Sequence, residues 1–191
     1  MLRLRVLVAA AAAGWDPSGM KLVSRDGGYA ELRVVAYEFE TPPVIAADDD
    51  DNDAGDEWLV VRGSVRLGDN REWAFTGPYL TITEARRLGA WLASAGAGRI
   101  APSPASPGRH LLGFTEPNLA LSIAALSTER ASVRVHFSHE SMPPWHQHHD
   151  WPDYHAYFIL LDISTADLTA AAKQWDRDLQ PFPARTGRHA S

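Results

Sequence analysis

Six of the eight histidines lie between His136 and His155, five of them in the stretch VHFSHESMPPWHQHHDW from Val135 to Trp151. Imidazoles this dense suit two kinds of chemistry. The first is zinc ligation through neutral ring nitrogens. His146 and His148 share a face if the chain is extended there, and His149, Asp150, Asp153 or His155 complete a tetrahedral set, so the metal reading rests on His146, His148, His149 and His155. Its spacing is poor. Metal-binding helices carry H-E-x-x-H or H-x-x-E-H, whereas His136 to Glu140 reads H-x-x-H-E. The second is recognition of a macromolecule. Trp145, His146, His148, His149 and Trp151 stand among prolines and aspartates, where large aromatic rings serve as exposed anchors. On this reading the imidazoles reach water, with His136 on the polar face of a strand.

A second concentration of chemistry is acidic. From Asp48 to Glu57 the chain carries Asp48, Asp49, Asp50, Asp51, Asp53, Asp56 and Glu57 and no basic residue. Without this run the net charge of −6 becomes +1. Asp49, Asp51 and Asp53 have the spacing of a calcium loop, but Ala54 replaces its turn glycine and Val60 its bidentate glutamate. Two readings are left: a solvated loop, or a patch that steers a basic partner. No basic face stands out to bind nucleic acid. The absence of cysteine excludes thiolate nucleophiles, disulfides and cysteine-ligated metal. Gly96 to Ala101 matches G-x-G-x-x-A, but it follows a helix and runs into prolines, the wrong context for a dinucleotide loop. No catalytic constellation has diagnostic spacing, and no cofactor is expected.

The elements that must position these residues follow from periodicity. Alternation marks strands at Tyr29 to Glu40, Glu57 to Leu67 and Arg71 to Phe75, with a turn at Gly68-Asp69-Asn70. Thr81 and Glu84 have capping-box spacing ahead of a helix whose stripe is Ala85, Leu88, Trp91, Leu92 and Ala95. The Pro/Ser stretch from Gly98 to Gly108 is a surface loop. Further strands span His110 to Phe114, Asn118 to Leu126 and Ser132 to Ser138. Tyr154 to Ile163 is apolar on both faces and is expected to lie at the centre of a sheet. A second capped helix begins at Ser164, with Leu168, Ala172, Trp175 and Leu179 buried. The expected fold is α+β: antiparallel sheet of about seven strands, with capped amphipathic helices after the third strand and at the C-terminus.

Residues 1–28 read as a leader, either disordered or a wrongly chosen start with Met20 the natural one. The alternative is a short signal peptide, since two arginines precede an apolar run. That run falls short of the ~20 residues of a spanning helix, so no membrane is expected. Residues 29–183 form one domain and 184–191 a disordered tail.

The runs EWLVVRGSVR, REWAFTGPYLTITEARRLGAWL, LGFTEPNLALSI and VRVHFSHESMPPW resemble, in order, successive blocks of the wall-associated-protein immunity (WapI) family. The resemblance covers Tyr29 to Phe182. It implies a non-enzymatic, cytoplasmic immunity protein that neutralises the C-terminal domain of a bacterial polymorphic toxin, suggesting a nuclease. An acidic binder suits the basic face of such a toxin. The residues expected to meet it are those of the acidic run, from Asp48 to Glu57, and Trp145, His146, His148, His149 and Trp151. The competing readings are a metal-binding or metal-dependent enzyme and a small-ligand domain with a pocket between sheet and helices.

Overall fold

Alternating burial builds two antiparallel sheets in the computed structural model, which describes residues 19–41, 56–103, 111–146 and 156–185. The first sheet comprises β1 (Met20–Val23), β2 (Tyr29–Tyr37), β3 (Trp58–Arg66) and β4 (Glu72–Thr81), hydrogen-bonded in that order. Helix α1 (Ile82–Gly96) follows directly. The second sheet comprises β5 (Leu112–Gly113), β6 (Leu119–Leu126), β7 (Arg130–Phe137) and β8 (Phe158–Ser164), again in sequence order, and α2 (Thr165–Leu179) follows it. Each half is therefore a four-stranded meander and then a helix. The α+β class, the antiparallel pairing and both helix positions are as the periodicity predicts, with the first helix after β4.

The strand that the periodicity misses is β1. The leader was expected to reach residue 28, yet Met20 and Leu22 are buried and Lys21 and Val23 exposed, the alternation of a half-buried strand. Four residues are too few to register as a pattern. The turn behind them is legible: Asp26 Oδ1 accepts from Gly28 N–H, and Gly27 takes φ 87°, a conformation that favours glycine. A second correction concerns β8, which is an edge strand and not a central one. Ile159, Leu161 and Ile163 enter the core while Leu160 is 54% exposed. Part of its open edge is closed by the β1–β2 turn, where Arg25 N–H donates to Asp162 O at 3.0 Å.

Both helices are capped as their sequences predict. Thr81 Oγ1 accepts from Glu84 N–H, and Glu84 Oε2 accepts from Thr81 N–H. Ser164 Oγ accepts from Asp167 N–H. The helices pack against each other at Gly89 and Gly96. A Cβ on Gly96 would stand 2.5 Å from Thr169 Oγ1 and 2.9 Å from Thr169 N, so the approach there requires glycine, while one on Gly89 would press on Trp175 Cδ1 at 3.1 Å. Trp175 is fully buried at the crossing and donates its indole N–H to Ala85 O at 2.7 Å. The inner faces of both sheets and the helix stripes share one core. No helix among the described residues is long and apolar enough to cross a membrane.

Candidate partner-binding surface

Trp145 is held at a corner where three elements meet. After β7, Ser138 N–H donates to Ser141 Oγ at 3.1 Å, and a 3₁₀ turn spans His139–Ser141 with His139 at φ 51°. Ser141 is fully buried; its hydroxyl donates to Ser138 O at 2.8 Å and also contacts Asn118 O. Its carbonyl accepts the Trp73 indole N–H at 2.9 Å, tying the turn to β4. Trp145 then packs edge-on against Trp73 with centroids 5.6 Å apart, while 39% of it remains exposed.

The β3–β4 turn supplies a cation. Asn70 takes φ 69°, as a tight turn with Asp-Asn allows, and Asp69 accepts from both the main-chain N–H and Nε of Arg71. Those bonds, the main-chain one first, lower the Asp69 carboxyl below its ordinary value. They hold the Arg71 guanidinium 5.3 Å from the Trp145 ring centre. His146 lies 4.4 Å from the Tyr157 ring, and burial raises the Tyr157 phenol. The corner thus presents Trp145, Arg71, Tyr157 and His146 on a packed base of Trp73 and Phe137. Trp, Tyr and Arg on a rigid seat are the residue types that dominate binding energy at interfaces. Sequence patterning singles out Trp145 and His146. It misses Arg71 and Tyr157, which only the pairing of distant strands brings there.

The acidic run divides. Asp48, Asp49, Asp50, Asp51 and Asp53 lie outside the described residues, as do His148, His149, Trp151 and His155. Asp56 accepts from Thr83 N–H at the start of α1, at 3.2 and 3.3 Å. Glu57 is 4% exposed and binds Arg185 Nε at 2.8 and 3.0 Å. The last two carboxylates are therefore bound within the chain. Arg185, within the stretch expected to be disordered from residue 184, is bound to Glu57, since a buried carboxylate requires a counter-charge.

His136 also departs from expectation. It is buried, with Nε2 3.0 Å from Ser122 Oγ and its ring 5.3 Å from Phe158. Beside it Arg134, also buried, donates to Ser103 O at 3.1 Å. The face expected to meet water is covered because the Pro/Ser loop starts on it, with Ser103 N–H bonded to Ile123 O. Among the described residues, no three His, Asp or Glu side chains stand close enough to hold a metal ion. A groove of about 610 Å³ between β1 and α2 is lined by Lys21, Arg25, Arg130, Asp167 and Arg177, a charged and open wall. Small-ligand pockets are typically enclosed and apolar.

The model of the immunity protein WapI-like family matches residues 21–183, most of the chain. No curated protein and no solved structure gives a significant match.

Proposed function

Because the chain belongs to the immunity protein WapI-like family, we propose that it acts without catalysis, by binding and blocking the C-terminal toxin domain of a bacterial polymorphic toxin. The family match is the observation that carries this reading. The corner at Trp145 supports it, since a half-exposed indole on a rigid seat beside a fixed arginine is suited to a protein partner. The partner is read as a nuclease met in the cytoplasm, with a basic active-site face. Asp48, Asp49, Asp50, Asp51 and Asp53 steer it, and Trp145, His146, Arg71 and Tyr157 anchor it, with His148, His149 and Trp151 alongside. Asp56 and Glu57 leave the contact set, because their carboxylates serve Thr83 and Arg185.

The test is co-expression with the toxin domain encoded beside this gene. The chain should restore growth and co-purify with the toxin, and Trp145→Ala with Arg71→Ala should weaken the complex while leaving the free chain folded. Replacing Asp48 to Asp51 by Asn should slow association several-fold at low salt, an effect that shrinks as the ~10 Å screening length shortens. Absence of both protection and complex would refute the proposal. Stoichiometric zinc in untagged protein, lost on His148→Ala, would favour a metal centre instead.

A further inference from the structure

A strand with apolar side chains on both faces stands at an open edge. β8 carries apolar side chains on both faces, Phe158 and Leu160 outward and Ile159, Leu161 and Ile163 inward, the composition of a strand whose two faces are both covered. Its main chain shows where one is missing. Asp162 turns its N–H and C=O away from β7, toward Ser24 Oγ at 3.1 Å and Arg25 N–H at 3.0 Å. Residues of an antiparallel pair alternate between facing their partner strand and facing away. Leu160 and Phe158 therefore turn the same way as Asp162, while Tyr157 C=O accepts from Phe137 N–H on the β7 side. Among the described residues nothing meets the outward main-chain groups of Phe158 and Leu160. Unpaired edge groups beside an exposed leucine form a template for another strand.

We propose that a second copy of this chain fills that edge, with the two β8 strands antiparallel about a twofold axis at Ile159. The register identifies the occupant. The Ser24–Arg25 turn closes the edge at Asp162, so pairing extends no further than Leu160. An axis at Ile159 sets Phe158 against the partner's Leu160 and Leu160 against the partner's Phe158. Each copy then uses both of its open residues, for about four inter-chain main-chain hydrogen bonds. The same register makes two aromatic–aliphatic pairs across the strands, with Arg134 already 5.5 Å from the Phe158 ring on that face. Pairing of identical edges is closed, so it stops at two copies and joins two four-stranded sheets into one. So short a contact falls below the ~800 Å² per partner of a standard interface, and the dimer is concentration-dependent, forming near roughly 0.1 mM and dissociating near roughly 1 µM.

Light scattering and sedimentation across that range decide the matter. The mass should rise from one chain toward two. Leu160→Pro removes an outward N–H and no bond to β7, and Leu160→Lys places a charge on the edge. Both should remain monomeric throughout, with the circular dichroism and unfolding midpoint of the wild type. If Leu160→Pro fails to fold, Leu160→Lys decides alone. A wild type that stays monomeric across the range overturns the proposal. So does a dimer that Leu160→Lys leaves undiminished, or growth beyond two copies.

Discussion

Replacing Arg185 by alanine would strand a carboxylate that the fold has withdrawn from water. Glu57 is 4% exposed, and Arg185 meets both of its oxygens. The same guanidinium donates to Glu40 O at 2.8 Å and Phe39 O at 2.9 Å and lies 3.8 Å from the Tyr37 ring centre. The hydrogen bond it donates to Glu57 raises the guanidinium above its ordinary value. Removing one member of a buried pair typically costs ~3–5 kcal/mol. Two features hold the loss to the low end. The Arg185 main-chain N–H stays with Glu57 Oε2 at 3.2 Å, and the arginine side chain is 24% exposed, so water can enter. The expectation is about 3 kcal/mol, a large share of the ~5–15 kcal/mol of an ordinary domain. Glu57→Gln keeps the volume and one acceptor and should cost about 1–2 kcal/mol. The double variant should lose clearly less than the sum. Urea unfolding followed by circular dichroism at pH 7 measures all three. A loss below about 0.5 kcal/mol, the scale of an exposed ion pair, would refute the reasoning, as would strict additivity.

Three further outcomes follow from the same structure. Trp175→Ala empties the helix crossing and loses the bond to Ala85 O, costing ~3–5 kcal/mol, whereas Trp145→Ala opens to solvent and should cost about 1–2 kcal/mol; equal losses in denaturant titrations would mean the Trp145 corner is core. Burial raises the Asp178 carboxyl against the opposing bonds from Gln174 and Met20 N–H, so stability is lost as pH rises from the ordinary carboxylate value through the raised one. Asp178→Asn should therefore flatten the fall in melting temperature between acid and neutral pH, and an unchanged pH profile would refute this. Glu84 accepts from Thr81 N–H and also from Thr115 N–H at 2.6 Å. Glu84→Gln sets an amide donor against one of them and should cost ~1–3 kcal/mol in the same titration; a neutral result would show that a water can take the place.

What could be read from the residues alone is what short stretches decide. Thr81 and Glu84 form a capping box three residues apart, and Leu88, Trp91, Leu92 and Ala95 share a helix face whatever the rest of the chain does. Alternation in β2, β3 and β7 assigns strands for the same reason: side-chain direction is set by the local backbone. Tertiary structure decided everything that depends on which strand lies beside which. The apolar run of β8 suits a central position, and nothing within it reveals that the β1–β2 turn, far earlier in the chain, closes only its Asp162 end. His136 follows the period of an outward residue, yet it is buried against Ser122 and Phe158. Glu57 looks like one more charge in an acidic run until Arg185, 128 residues away, arrives to neutralise it. Arg71 and Trp145 meet only because β4 and the turn after β7 are tied through Trp73 and Ser141. Local periodicity states which way a side chain faces, and only the packing of distant segments determines what it then meets.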